Sequence, residues 1–304
     1  MAQVRTTTTL GGETQGTQVA ESRSFAKLFW RQLKRNPLVI AALVVLALLY
    51  AMMGASVLVD SFPPYDPSEP FVGPRLEGPS AEHWFGTDHL GRDLFSRVVV
   101  GSQISLNIGI IVALLSVSIG TFLGSLAGYF GGWLDSLIMR FTDIVINFPF
   151  LFFAITIVTI LEPNFWNIVL AIGLLAWTSI ARIVRANILS LREREFVLAA
   201  HSVGAPARRI IIRHILPNTI APLIVYATLT VGVAIIAEAG LSYLGLGVQP
   251  PTPSWGNMLQ QGKPYISSNI WFTLFPGLFI FASVMCINYL GDGLRDALDP
   301  KIIS

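Results

Sequence analysis

Six apolar runs separated by polar connections organise this chain: Leu38–Val59, Ile104–Tyr129, Ile144–Leu161, Asn167–Ile180, Ile220–Ile236 and Trp271–Leu290. A helix crosses a bilayer with about 20 mostly apolar residues, and lipid accepts no unpaired backbone, so each run predicts a membrane-spanning helix. The pattern therefore reads as an all-α polytopic membrane protein with six transmembrane helices. The fourth run is the shortest, and it reaches a full crossing by extending through Arg182 with that charged end drawn to the interface. Residues 1–36 form an N-terminal cytoplasmic segment. Its first 24 residues are rich in Thr, Gly, Gln and Ser, have no apolar core, and read as disordered rather than as a signal peptide. Residues 37–103 hold the first span and an external loop, and 104–301 hold the remaining spans with a polar loop at 185–217.

Composition agrees with the pattern. The chain has 304 residues, 53% hydrophobic and 12% charged, about half the charged fraction of a soluble domain. A net charge of +2 gives no nucleic-acid footprint. The single cysteine, Cys286, sits in an apolar run and offers neither an intrachain disulfide nor a metal framework. Six Lys and Arg precede the first span and seven lie in 182–213, whereas Asp60–Gln103 carries three Arg against seven acids. Basic loops stay in the cytoplasm, so both termini are expected inside.

Three features inside the spans follow from residue type. Gly120, Gly124 and Gly128 share a helix face and allow close helix approach, either within one bundle or on a second subunit. Pro149 and Pro276 interrupt spans three and six and predict kinks, for packing or for gating. Intramembrane polar groups mark a candidate translocation path: Asp143, Asn147, Ser179, Glu238 and Asn288. Asp143 is three residues from Arg140, a spacing that suits an ion pair on one helix. Glu238 suits either a structural role at the outer end of span five or contact with an external partner. In the external loop, Asp88/Arg92 and Asp93/Arg97 are spaced to staple an amphipathic helix. His83 and His89 flank Asp88, but one short loop supplies too few ligands for a metal site.

The 185–217 loop is built differently from a simple turn. Glu193 and Glu195 suit the first turns of a helix. Ala199, Ala200 and Val203 form a small apolar face, and Gly204 suits the left-handed stop. Pro206 suits the start of a second, basic helix carrying Arg208, Arg209 and Arg213, which Pro217 closes. Such a segment either lies on the lipid surface or is gripped by another protein. The chain has no phosphate-binding loop: at Gly262-Lys263, Asn257 replaces the first glycine and Pro264 the Ser or Thr. No catalytic HExxH or GxSxG pattern occurs.

The stretch EFVLAAHSVGAPARRIIIRHILPN resembles the EAA loop of bacterial ATP-binding-cassette (ABC) importer permeases, specifically the C-type member of the dipeptide/oligopeptide/nickel permease family. Three further segments resemble that family: HWFGTDHLGRDLFSRVVVGSQISL, EAGLSYLGLGVQPPTPSWGNML and the tail GDGLRDALDPK. The likeness covers residues 36–301. Two departures stand out: Leu198 replaces the glutamate that names the motif, and His201 stands where arginine is frequent. Glu195 remains as a docking charge.

The resemblance implies a type I ABC importer permease fold in a bacterial or archaeal inner membrane. It implies a homologous permease partner, two ATPase subunits or domains that hold ATP and Mg, and an extracytoplasmic substrate-binding protein. Glu193, Glu195, Ala199, Ala200, Val203, Gly204, Arg208, Arg209 and Pro217 would couple to the ATPase. This chain would then bind no cofactor and catalyse no covalent step. The implied cargo is a dipeptide or oligopeptide, with nickel-chelate, glutathione or oligosaccharide as alternatives. An ion-coupled carrier using Asp143 or Glu238 is the competing class; such folds usually show more spans and internal repeats.

Overall fold

Asn36 accepts a hydrogen bond from the Leu38 N–H and Pro37 occupies the first turn, so the first helix, α1, starts there and runs Pro37–Leu58. The computed structural model describes Leu33 and residues 36–298. The expectations for residues 1–24, for the basic residues before Pro37 apart from their count, and for the end of the tail lie outside the described residues. The remaining helices are α2 (Leu94–Phe130), α3 (Gly132–Asn147), α4 (Phe150–Leu161), α5 (Phe165–Leu191), α6 (Glu195–Ser202), α7 (Ala207–Ile210), α8 (Leu216–Tyr243), α9 (Trp255–Gly262) and α10 (Trp271–Leu298). A π-turn at Ile211–Ile215 joins α7 to α8 without a break. Among the described residues the only extended pairing is one bridge, Thr87 to Asp93.

Among the described residues five helices, counting Ala207–Tyr243 as one, are long and apolar enough to span a membrane. The third expected span is corrected: Ile144–Leu161 is not one helix, because α3 and α4 meet at an 88° bend at Phe148-Pro149. Proline has no N–H to continue the ladder and forces its predecessor out of the α conformation; Phe148 is accordingly extended.

The bent pair nevertheless has to make the crossing. A Cβ on Gly120, Gly124 or Gly128 would meet Ile180, Val184 or Ile188 in turn. The numbers rise together, so α2 and α5 run parallel, and residues 131–164 must return from one side to the other. The same glycines settle the packing alternative within this chain, since they seat α2 directly on α5. Gly232 of α8 faces Ile287 of α10, and Gly291 of α10 faces Leu229 of α8, an antiparallel register; Gly293 lies against Val39 of α1. The first and last described helices thus end on one face, together with the α5–α8 loop. That is the relative arrangement that an even number of crossings requires.

The fourth span is longer than its apolar run. α5 continues through Arg182 and Arg185 to Leu191, because those charges find partners on α3 rather than ending the helix. Pro276 sits inside an unbroken α10.

The 60–93 connection between α1 and α2 forms a packed cap, not a stapled helix. Asp88 pairs with Arg92 at 2.6 Å in a turn, where its carboxylate also accepts from the Leu90 and Arg92 N–H groups. Asp93 does not meet Arg97: it caps α2 by accepting from the Ser96 N–H and pairs with His83 Nδ1 at 2.9 Å. Arg97 is fully buried, 3.6 Å from Asp88, and donates to the Pro67 carbonyl. Arg92 reaches Gln261 of α9, and Asn269 donates to the Glu77 and Thr87 carbonyls, which ties the cap to α9 and α10. His89 stacks on Tyr265 and Phe272.

Candidate coupling segment and translocation groove

α5 passes into α6 through only three residues, Arg192–Arg194. Glu195 is the first residue of α6 and favours its N-terminal dipole, whereas Glu193 lies in the preceding turn, outside the helix that was expected to include it. Gly204 has φ +76°, the left-handed conformation that lets the Gly204 and Ala205 N–H groups fold back onto the His201 and Ala200 carbonyls. Nothing lies within 4 Å of a Cβ placed there.

The expected small apolar face is corrected. Val197 and Ala200 turn inward, into a buried cluster with Ile210 and Ile215 beyond the turn that also contains Ile180, Val184 and Ile188 of α5. Ala199 and Val203 point the other way, because the short helix lies with only one narrow stripe on the bundle. Phe196, Leu198 and Val203 are 42%, 54% and 83% exposed, and Glu193, Glu195, Arg208 and Arg209 are exposed around them. Apolar side chains at this density, ringed by charge, are the composition of a contact surface. Phe196 and Leu198 are not among the sequence-based candidates, and the structure exposes both because they lie off the Val197/Ala200 stripe.

Pro217 does not close a separate helix. It lacks the N–H that would bond the Arg213 carbonyl, and the π-turn immediately upstream widens the helix there. The basic helix is one turn long and runs on into α8.

The second region lies at the elbow. Val145, Ile146, Phe148 and Phe150 from the elbow face Leu175, Thr178 and Ser179 of α5 and Thr230 and Val233 of α8 around a cavity of about 220 Å³. Ser179 lines this groove directly. Asp143 and Asn147 are exposed on the last turns of α3, and Asn147 donates to the Asp143 carbonyl at 2.6 Å. The expected Arg140–Asp143 pair is corrected: Asp143 meets Arg182 of α5 at 2.5 Å. Three of the five path candidates therefore gather at the elbow.

Glu238 and Asn288 are not among the groove's lining. Asn288 is exposed on α10 beside Gly232 of α8. Glu238 is fully buried, accepting from Ser105 at 3.0 Å and Ser242 at 2.6 Å; Ser254 lies 3.5 Å from Ser242, and the Trp255 N–H donates to Ser105. It is the knot that joins the α2 block to the block after α8, two of the four segments that carry the family resemblance.

A bent crossing beside a groove, with a displayed helix–turn segment and no nucleotide-binding motif, defines a multi-pass membrane transport subunit. Residues 120–304 match the family described as binding-protein-dependent transport system inner membrane component, and residues 24–79 match the N-terminal TM domain of oligopeptide transport permease C. The chain is 46% identical over 277 residues to the dipeptide transport system permease protein DppC of Alkalihalophilus pseudofirmus, with 90% of each chain covered. It is 44% identical over 275 residues to the glutathione transport system permease protein GsiD of Escherichia coli O6:K15:H31, again with 90% of each covered, and 44% identical over 278 residues to that of Pectobacterium atrosepticum, with 91% of each covered. The chain belongs to the family of binding-protein-dependent transport system inner membrane components, and is a permease subunit of an ABC importer.

Proposed function

We propose that this permease pairs with a homologous permease in a bacterial or archaeal inner membrane and passes short peptides inward. An extracytoplasmic binding protein delivers the cargo to the capped face. Two ATPase chains, which carry ATP and Mg, grip residues 193–217 on the opposite, cytoplasmic face, so that both termini are cytoplasmic. The observation that carries the reading is the exposure of Phe196 and Leu198 on α6 and of Val203 just past its end, in a segment whose Val197 and Ala200 are buried. ATPase closure would move α6, and the permease pair would switch between inward- and outward-open arrangements by rigid-body motion.

Peptide cargo is supported by the likeness to the dipeptide permease. The likeness to glutathione permeases favours a second reading, glutathione, itself a small acidic peptide. The groove's walls suit either, with hydroxyls of Thr178, Ser179 and Thr230 among apolar side chains. The test is uptake of labelled di- to hexapeptides and of labelled glutathione in cells lacking this chain, complemented with the parent or with Gly204→Glu. The proposal expects peptide uptake with the parent and loss with Gly204→Glu at normal expression. Uptake of glutathione alone selects the second reading; no dependence of either on the chain rejects both cargoes.

A further inference from the structure

α3 has almost no apolar hold on the rest of the molecule. Of its 16 residues only Ile138 and Thr142 are buried. Trp133, Leu137, Phe141 and Ile144 are exposed. What attaches it specifically is charge. Arg185 of α5 grips Asp135 with two hydrogen bonds, Nε to one carboxylate oxygen at 2.5 Å and Nη2 to the other at 2.6 Å. One turn away on α5, Arg182 holds Asp143 at 2.5 Å. A two-point bidentate-and-single attachment fixes orientation as well as distance, which a lone exposed ion pair does not.

The place of these arginines gives the attachment its meaning. They lie on the segment of α5, residues 180–188, whose Ile180, Val184 and Ile188 belong to the same buried cluster as Val197 and Ala200 of α6 and Ile210 and Ile215 beyond the turn. The same three side chains receive the close approach of Gly120, Gly124 and Gly128. One stretch of α5 thus shares a buried cluster with α6, to which it is joined by only three residues, and holds α3 by two ion pairs. At its other end α3 leads into the elbow at Phe148-Pro149, which walls the groove.

We propose that the Asp135–Arg185 and Asp143–Arg182 pairs are the mechanical link that carries movement of the coupling helix to the groove elbow. Arg182, Arg185, Asp135 and Asp143 are positioning residues in this scheme, acting on the groove through α3. The inference rests on α6 being the ATPase contact. Without the two pairs, α3 is held by Ile138, Thr142 and a Phe141–Trp177 stack at 6.1 Å. α5 would then move and the elbow would lag.

The test needs no cargo. Phe148→Cys in a Cys286→Ser background places a thiol at the exposed elbow, and the importer is assembled with its partner permease and ATPases in lipid nanodiscs. The rate at which this chain is labelled by a maleimide is measured without nucleotide and after trapping with ATP and vanadate. The parent is expected to show a nucleotide-dependent change in rate. Arg185→Gln with Arg182→Gln is expected to lose that change at normal assembly. The exchange Asp135→Arg with Arg185→Asp, alone in the parent background, is expected to retain it, while each of its single members loses it. Should the double Gln variant not assemble, Arg182→Gln alone replaces it and is expected to reduce the change. The link is overturned by a parent whose labelling ignores nucleotide, by Gln variants that respond as the parent does, or by an exchange no better than its single members. Gly204→Glu separates the two readings. If it leaves the nucleotide response intact, the α6 contact itself is wrong; if it abolishes the response while the Gln variants keep it, only the link is wrong.

Discussion

Glu238 shows how burial decides between two roles for one carboxylate. A proton carrier needs access to a path, whereas this side chain is enclosed by the hydroxyls of Ser105 and Ser242. Glu238→Leu leaves those hydroxyls without their acceptor, and a buried unsatisfied group costs about 1–3 kcal/mol. The expected outcome is a clearly lower melting midpoint for the purified subunit. Glu238→Gln retains an acceptor, so it is expected to melt closer to the parent and to support uptake. Normal melting with abolished uptake in Glu238→Gln would return the residue to the path. Gly204 makes a different kind of demand. Its φ of +76° is met in open space, so the cost of Gly204→Ala is conformational, about 1–2 kcal/mol. Asn tolerates the left-handed region better than Ala, and Gly204→Asn is therefore expected to retain more uptake than Gly204→Ala. The reverse order would mean that side-chain size, not backbone, is limiting there.

Elements in this molecule are joined by devices of unequal legibility. The α2–α5 contact was visible as a glycine stripe, because small residues at four-residue spacing mean close approach whatever the partner. The partner was not visible, since spacing says nothing about which helix comes near. Gly124→Leu drives its Cβ to within 2.9 Å of the Val184 Cβ; overpacking of this kind costs about 1–3 kcal/mol, and a lower melting midpoint with less assembled importer is the expected result. The length of α5 was underestimated because Arg182 and Arg185 read as the edge of a loop. Their carboxylate partners lie 39 and 50 residues away, a distance no local pattern spans. The cap between α1 and α2 was not legible for the same reason: 88/92 and 93/97 have helical spacing, but Asp93 is taken by His83 and by the start of α2.

The cap also has a pH dependence. Burial, aided by Arg92, Arg97 and Arg75 against the opposing Asp88, holds the His89 imidazole below its ordinary pKa, which is about 6.5. The unfolded chain then takes up the proton first as pH falls. Stability from this group is full above about pH 6.5 and is lost as pH drops from there toward the lower folded value. The melting midpoint is expected to fall between neutral and mildly acidic pH, and His89→Phe, which keeps the stack on Tyr265 and Phe272, is expected to flatten that slope. An unchanged slope in His89→Phe would assign it elsewhere.

At the scale of the molecule, the number and order of crossings were legible because apolar length is the strongest signal a membrane imposes. The elbow was legible only as Pro149; a proline marks a break but not its angle, and the 88° bend goes with α4 joining a cluster through Ala154 and Val158 that includes Ile168 and Ile172 of α5. The helix–turn form of residues 195–217 was recognisable by its glycine, prolines and charges. Which side chains of α6 stay exposed was not, since that follows from the burial of Val197 and Ala200 in a cluster with residues before and after the helix. Docking of an ATPase on this exposed side is probed at Val203, 83% exposed just past the end of α6. A photo-reactive amino acid in place of Val203 is irradiated in cells producing the whole importer, and the adduct is identified by mass. The expected product is a nucleotide-sensitive adduct between this chain and an ATPase subunit. An adduct with lipid or with the partner permease alone, at normal importer levels, would contradict it.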